Sequence, residues 1–198
     1  MHHGSPPVDT LGNVTEETLL DALDKMEKAV EHVQSQFTTV RTGRATPALV
    51  ERLTVEYYGS MVPVQQLAGF QVPEARQLIV KPHDRSSLGA IEKAIRDSDL
   101  GVNPSNDGVV IRLNFPPLTE QRRKEFVKIV KNMAEDGRIA VRNIRRDARK
   151  HLEAAEKSGQ LSANDLERAE KDIERITHEH VEMIDKAFGR KEQELLEV

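Results

Sequence analysis

The segment from Thr15 to Arg41 carries an apolar row whose members step by 4, 3, 4, 3, 4 and 3 residues. The row consists of Leu19, Leu23, Met26, Val30, Val33, Phe37 and Val40. A repeat of about 3.5 residues places every member on one face of a helix, as in a coiled coil. Such a helix is stable only when that face packs against partner helices. The segment therefore predicts a helical bundle, with Thr15 as the N-cap of the first helix.

Two later segments have the same periodicity. A helix is predicted over Thr119–Lys157, and its apolar positions are Phe126, Ile129, Met133, Ala140, Ile144, Ala148 and Leu152. Gly137 weakens this helix locally, and Gly159 ends it. A third helix begins at a capping box formed by Ser162 and Asp165. Its apolar row is Leu166, Ala169, Ile173, Ile176, His180, Met183 and Ala187. The short link between the last two helices favours an antiparallel arrangement.

The residues between the first two helices have a different pattern. Gly43 and Pro47 end the first helical segment, and the pair Pro116-Pro117 precedes the second. Strands are predicted at Leu53–Tyr58, Gly69–Val72, Leu78–Lys81 and Val109–Phe115, and a helix at Ser86–Asp99. This stretch is long enough to form a small core of its own, so we expect an inserted domain.

The expected fold is α+β. An elongated antiparallel three-helix bundle, residues 13–42 with 118–198, carries an inserted small α/β (β-rich) domain at 45–116. Linkers at 42–46 and 115–118 form a two-strand hinge, which gives an L-shaped molecule. Residues 1–12 are interpreted as a tag remnant or disordered tail. The chain has no cysteine, which excludes disulfides, thiol catalysis and Cys-ligated zinc. No apolar run approaches ~18 residues, so we expect no membrane span.

A row of arginines follows one side of the second long helix. Arg138, Arg142, Arg145 and Arg149 recur at i, i+4, i+7 and i+11, Lys131 extends the row by one heptad, and Arg146 lies at its edge. At ~100° per residue these positions share one side of the helix. Guanidinium groups suit phosphate oxygens. The row predicts a surface for a nucleic-acid backbone, with Arg142 and Arg145 both facing away from the apolar positions.

The alternative interpretation is a solvated helix face, which is the usual role of charged rows. Arg138–Lys150 contains six cations, five of them Arg, and the single anion Asp147. Thr119–Lys157 has twelve Lys and Arg against seven Asp and Glu, whereas Leu161–Val198 has six against eleven. One basic segment in a chain of net charge −4 favours oriented binding of a polyanion.

Catalytic and metal-binding patterns are absent from the sequence. His178, His180 and Glu182 do not share one helix face, and His180 fits the apolar row as a core histidine. His83-Asp84 fits a turn and helix start better than a catalytic pair. Tyr57-Tyr58 has two interpretations, because either ring can stack on a base or one can face the small core. We therefore expect no catalytic residues, no metal and no cofactor.

Five short motifs occur in order along the chain: RTGRA at Arg41–Ala45, VEYYG at Val55–Gly59, SDLGVNP at Ser98–Pro104, PPLTEQRRKE at Pro116–Glu125 and VRNIRRDA at Val141–Ala148. Together they resemble the ribosome recycling factor family of bacterial type. The resemblance implies a non-enzymatic translation factor that binds the post-termination ribosome along its large-subunit RNA. With elongation factor G and its GTP hydrolysis, such a factor splits the subunits and frees the mRNA.

The resemblance also implies site residues. Contacts to ribosomal RNA would come from Arg41, Arg44, Arg138, Arg142, Arg145 and Arg146, and the helical row adds Lys131 and Arg149. The hinge would be Thr42, Gly43, Arg44, Ala45, Pro116 and Pro117. We expect a monomer in the cytoplasm, or in an organelle if the N-terminal segment is native. The alternative function is a protein–protein adaptor whose arginine row is only solvated.

Overall fold

The computed structural model describes the backbone of residues 9–197 and the side chains of residues 14–197. The elements in chain order are α1 (Asp9–Thr38), β1 (Thr54–Tyr57), β2 (Ser60–Pro63), α2 (Val64–Leu67), β3 (Ala68–Glu74), β4 (Gln77–Pro82), α3 (Leu88–Arg96), β5 (Ser105–Asn106), β6 (Ile111–Asn114), α4 (Glu120–Lys157) and α5 (Ala163–Leu196). One compact unit comprises residues 9–40 with 124–197, and the other comprises residues 41–123. Long helices with a small antiparallel sheet confirm the α+β class.

Helix α1 buries the predicted heptad row. Met26, Val33 and Phe37 are at most 5% exposed, and Leu19 and Leu23 are half-buried. The predicted start at Thr15 is wrong, because α1 already begins at Asp9. The expected tail at 1–12 is therefore helical from residue 9 onwards, and its residues 1–8 lie outside the described part of the chain.

Helix α4 buries a row that coincides only in part with the predicted one, because Ala148 and Leu152 belong to both. Its buried residues are Val130, Ala134, Gly137, Val141, Ala148, Leu152 and Ala155. Ile129 is 43% exposed, and Ile144 is only half-buried. Two apolar rows run side by side on this helix, and the buried one contains the small residues. Small side chains allow helix axes to approach closely, which is why this face is the one that packs.

Helix α5 largely matches its prediction. Ala169, Ile173, Ile176, His180 and Ala187 are buried, but Ile184 replaces Met183, which is 47% exposed. The predicted N-cap at Ser162 is confirmed, because the Asp165 amide donates to Ser162 Oγ at 3.1 Å. The Asp165 carboxylate accepts from the Ser162 hydroxyl at 2.6 Å. Thr119 Oγ1 likewise accepts from the Arg122 amide at 3.2 Å and caps α4. Both caps satisfy amides that have no partner within the helix.

The inserted unit contains two antiparallel sheets. Strands β1 and β2 form a hairpin, and the larger sheet has the strand order β3-β4-β6-β5. Its core includes Val50, Leu78, Ile91, Ile111 and Leu113, each 0% exposed. Helix α3 contributes Ile91 to this core because its apolar residues recur on one face.

Short elements of the inserted unit escaped the sequence analysis. Strand β2, the two-residue strand β5 and the four-residue helix α2 were not predicted. Strand β5 consists of two exposed polar residues, Ser105 and Asn106, so it shows no apolar alternation. Such edges are fixed by pairing with a neighbour, and their own sequence carries little signal.

The β1–β2 hairpin turns through Tyr58 and Gly59, between the paired residues Tyr57 and Ser60. Tyr58 has φ 48°, the only positive φ of a non-glycine residue in the described chain, and Gly59 has φ 78°. Two positive φ values define the type I′ hairpin turn, which favours Asn-Gly. Tyr58 is 83% exposed. The turn therefore holds a bulky residue in a strained conformation without burying it.

We expect Tyr58→Asn to stabilise the protein. A non-glycine residue in the left-handed region costs about 1–3 kcal/mol, and Asn adopts this conformation more readily. The gain is reduced by loss of the edge-on ring contact with Tyr57, whose centroid lies 4.5 Å away. We expect the midpoint of thermal unfolding to rise by about 2–4 °C. Tyr58→Phe keeps both the strain and the ring contact, so its midpoint should stay unchanged. A lower midpoint for Tyr58→Asn would contradict the strain argument.

Candidate nucleic-acid interface

The arginine row lies on α4, along its junction with α5. Val141, Ala148 and Leu152 are buried and fix the rotation of α4 about its axis. That rotation places Arg138 and Arg145 next to α5, whereas Arg142 and Arg146 lie farther round towards solvent. The row is therefore split between the helix junction and the outer surface.

Three arginines pair with carboxylates of α5. Arg138 Nε lies 2.7 Å from Asp185 Oδ1, Arg145 Nη1 lies 3.2 Å from Glu174 Oε1, and Arg149 Nη2 lies 3.1 Å from Glu170 Oε1. Arginine numbers rise as carboxylate numbers fall, which shows that α4 and α5 are antiparallel. Sequence reasoning missed these pairs. The acidic bias of the last segment was the signal that pointed to them.

Arg138 is held more tightly than the other arginines. Its side chain is 17% exposed and also donates to Glu135 at 2.9 Å. Burial lowers the pKa of the Arg138 guanidinium, but the hydrogen bonds and charges of Asp185 and Glu135 outweigh this effect and raise the pKa above its ordinary value. Arg138 therefore stays charged, with both carboxylates already bound to it.

The outer surface of α4 carries a shallow groove of mostly cationic residues. It is lined by Arg142, Asn143, Arg145, Arg146, Arg149, Lys150 and Glu153. The side chain of Arg146 is 63% exposed and lies 4.0 Å from Asp147, and that of Arg142 is 48% exposed and lies 3.5 Å from Glu135. These contacts are weak, so both guanidiniums are available to an approaching anion. Sequence reasoning did not include Lys150, which is exposed beside Arg146.

The remaining predicted cations lie elsewhere. Lys131 is exposed on α4 about 10 Å from Arg138 along the axis, and Glu135 lies between them. Arg41 and Arg44 belong to the other compact unit. The Arg41 guanidinium donates to two backbone carbonyls, those of Asp99 at 2.9 Å and Leu100 at 3.3 Å. The structure therefore groups Arg142, Arg145, Arg146 and Arg149 along α4, whereas Arg41 and Arg44 are positioned by the other unit.

The predicted hinge residues have two kinds of environment. Thr42 and Gly43 are half-buried, Gly43 has φ 80°, and Pro116 and Pro117 are exposed. Ala45 is 8% exposed, and its amide donates to the Ala75 carbonyl at 2.7 Å. Ala45 is thus packed into the core of the inserted unit.

The other candidate sites are structural. Asp84 accepts hydrogen bonds from the Ser86 amide at 2.9 Å and from the Tyr57 hydroxyl at 2.8 Å. The Ser86 amide, followed by the Ser86 and Tyr57 side chains, lowers the pKa of Asp84. This carboxylate caps a turn, as expected, and Tyr57 packs against the small core. His180 is 3% exposed, with Nδ1 2.7 Å from the Ile176 carbonyl, which confirms a core histidine.

Neither a metal cluster nor a membrane-spanning helix occurs in the described chain. Among the side chains of residues 14–197, no three His, Asp or Glu residues are grouped in a way that would hold a metal ion. Helices in the same range lack a stretch long and apolar enough to cross a bilayer.

A family model, similar sequences and solved structures all indicate the same family for this chain. The family model of the ribosome recycling factor matches residues 33–196. A ribosome-recycling factor of Thermobifida fusca is 55% identical over 92% of this chain and 99% of its own length, and one of Cutibacterium acnes is 52% identical over 90% and 97%. A solution structure of the ribosome recycling factor has 39% identity and a TM-score of 0.74, covering 93% of this chain and 98% of that one.

A second solved structure is similar to this chain with 46% identity and a TM-score of 0.63, covering 92% of this chain and 98% of that one. It shows the T. thermophilus ribosome recycling factor and the E. coli elongation factor G bound to the E. coli post-termination complex. The similarity thus extends over nearly the whole length of both chains.

Proposed function

Since this chain belongs to the ribosome recycling factor family, we propose that it binds the post-termination ribosome and, together with elongation factor G, dissociates it into subunits and releases the mRNA. The observation that carries the proposal is the match along nearly all of the chain to proteins of this name, one of them bound to a post-termination complex with elongation factor G. GTP hydrolysis belongs to that partner, and this protein acts by binding, without a catalytic centre. Its place of action is the bacterial cytoplasm, where it works as a monomer.

The exposed cations of α4 are our candidate for the RNA contact. Arg142, Arg146, Arg149 and Lys150 present four positive charges along one groove. Guanidinium and ammonium groups bind backbone phosphates without reading sequence, which suits a factor that must recognise the same rRNA surface in every ribosome. Arg41 and Arg44 are candidates for separate contacts made from the other unit, and Thr42–Ala45 with Pro116–Pro117 are candidates for the hinge.

The adaptor alternative is favoured by one observation. Arg138, Arg145 and Arg149 are already paired with α5 carboxylates, as expected of cations that stabilise a bundle. An adaptor of this kind would bind a partner protein through apolar surface, with weak salt dependence and no affinity for ribosomes.

Co-sedimentation with post-termination ribosomes across a salt series distinguishes the two functions. Four phosphate contacts predict that log affinity falls with log salt with a slope of about −3. Addition of elongation factor G and GTP should then convert sedimenting ribosomes into subunits. Absence of binding at low salt would reject the recycling function and favour the adaptor.

A further inference from the structure

We propose that Glu170 and Glu174 of α5 are specificity-determining residues of the RNA interface. Their carboxylates form ion pairs with Arg149 and Arg145, and phosphates must displace them from these arginines. A polyanion that binds must outcompete both carboxylates. The inference rests on the proposed function, and it assigns to the acidic helix a role in selecting the ligand of the basic one.

The two pairs have the geometry of exchangeable contacts. Arg145 Nη1 lies 3.2 and 3.5 Å from the two oxygens of Glu174. Arg149 reaches one oxygen of Glu170 through Nε at 3.3 Å and Nη2 at 3.1 Å. Neither pair is a fork-to-fork arrangement with two parallel bonds, which is the strong form of this interaction. Partly exposed pairs of this kind contribute little to the stability of the fold, so both arginines can leave their carboxylates while the bundle stays folded. The cost to a ligand comes from repulsion between its phosphates and the two carboxylates, which remain in place.

Arg138 provides the contrast within the same row. Its side chain is 17% exposed, against 33% for Arg145 and 46% for Arg149, and two carboxylates hold it at 2.7 and 2.9 Å. The arginines of the row therefore differ in how readily they can bind an external anion. Arg138 stays paired within the bundle, Arg145 and Arg149 can exchange their carboxylates for phosphates, and Arg142 and Arg146 face solvent.

Selectivity between ligands follows from these differences among the arginines. A ligand first meets Arg142, Arg146 and Lys150, which offer attraction without strong internal competition. To gain Arg145 and Arg149, about 6 Å apart along the axis, it must place phosphates at both positions against the charges of Glu170 and Glu174. A folded RNA surface with fixed phosphates can do so, whereas a flexible strand must be ordered as well. Specificity is a difference between affinities, and repulsive groups that penalise the wrong ligand increase it.

The test compares a specific and a non-specific ligand. Glu170→Gln with Glu174→Gln keeps the side-chain shape and one accepting oxygen at each position but removes two negative charges. The probes are post-termination ribosomes and a fluorescent oligouridylate. We expect affinity for oligouridylate to rise about tenfold or more at low salt and affinity for ribosomes to rise about threefold or less. Glu174→Gln alone should give an intermediate increase.

A matched control changes net charge by the same amount at other positions of α5. Glu179 and Glu182 are 47% and 50% exposed and pair along the helix with Arg175 and Lys186. Glu179→Gln with Glu182→Gln should change oligouridylate affinity less than threefold. An equal increase in this control would overturn the proposal by showing a net-charge effect. Equal increases for both ligands in the Glu170 and Glu174 variant, or decreases for both, would also overturn it.

The same experiment separates the two proposals. If the unchanged protein fails to bind ribosomes, the recycling function fails. The oligouridylate comparison still decides whether Glu170 and Glu174 compete with phosphate, because it requires no ribosome.

Discussion

Replacing Arg142 and Arg146 with glutamate is expected to lower ribosome affinity at least about 100-fold at moderate salt. Each substitution removes a cation from the exposed groove of α4 and places a negative charge opposite phosphate. Charge-assisted contacts contribute about 1.5–3 kcal/mol each, and 1.4 kcal/mol corresponds to a factor of ten. Both side chains have only weak internal contacts, at 3.5 and 4.0 Å, so the bundle should stay folded. Equilibrium binding to ribosomes measures the loss, and circular dichroism checks the fold.

The matched control reverses two arginines on another side of the bundle. Arg168 and Arg175 of α5 are 81% and 60% exposed and pair with carboxylates of their own helix. Their replacement by glutamate changes net charge equally, and ribosome affinity should change less than about threefold. Comparable losses in both variants would show that overall charge, not this groove, governs binding.

Arg146 is a better site than Arg145 for this charge reversal, because Arg145 forms an ion pair between two helices. Sequence reasoning treats Arg145 as facing away from the packed side, so its reversal looks harmless. Arg145 in fact lies 3.2 Å from Glu174. A glutamate at that position would set two carboxylates against each other between α4 and α5. Lost binding would then mix with lost stability.

Gly137→Ala is expected to destabilise the bundle by about 1–3 kcal/mol, although alanine favours helix formation by about 1 kcal/mol. A Cβ at this position of α4 would lie 2.3 Å from Val33 Cγ2 and 3.3 Å from Ile184 Cδ1. Val33 is 1% exposed and Ile184 is 0% exposed, so neither has space to move. Val33 is also restricted at χ1 within its helix. Chemical denaturation measures the change in the free energy of unfolding.

Two further variants make this prediction specific. Val33→Ala removes the methyl groups that clash, so it should make Gly137→Ala less harmful, with a coupling of about 1 kcal/mol or more in a double-mutant cycle. Gly189 lies in α5 with open space at its Cβ position. Gly189→Ala should therefore stabilise the protein by up to about 1 kcal/mol. Equal effects at Gly137 and Gly189 would contradict a steric role for Gly137.

Most of the helical architecture was predictable because helix signals are local. The heptad row through Met26 and Phe37 and the cap at Ser162 depend on residues within a few turns of one another. The buried face of α4 was predictable only in part, at Ala148 and Leu152. Two apolar rows compete there, and the choice depends on close approach at Gly137, which is a property of the partner helices. The single glycine was interpreted as a local weakness, yet it is a packing position.

The basic surface was only partly predictable for the same reason. Arginine spacing identified the row on α4, since it depends on one helix. Pairing of Arg145 with Glu174 and of Arg149 with Glu170 depends on the register between α4 and α5, which no local pattern specifies. Net charges of the two segments indicated attraction between them but not which side chains meet. Lys150 was counted among the cations of this segment but was not assigned to the interface, because it lies outside the strict repeat.

The bundle unit is assembled from two separated pieces of chain, residues 9–40 and 124–197. As the chain is synthesised, α1 emerges first, and its apolar face has no α4 or α5 to cover it. At ~5–20 residues per second, the intervening 80 or so residues take roughly 4–16 seconds to make. The contiguous inserted unit can fold during this delay. The nascent chain thus carries an uncovered α1 for seconds, and during this interval its apolar face is open to aggregation and to binding by chaperones.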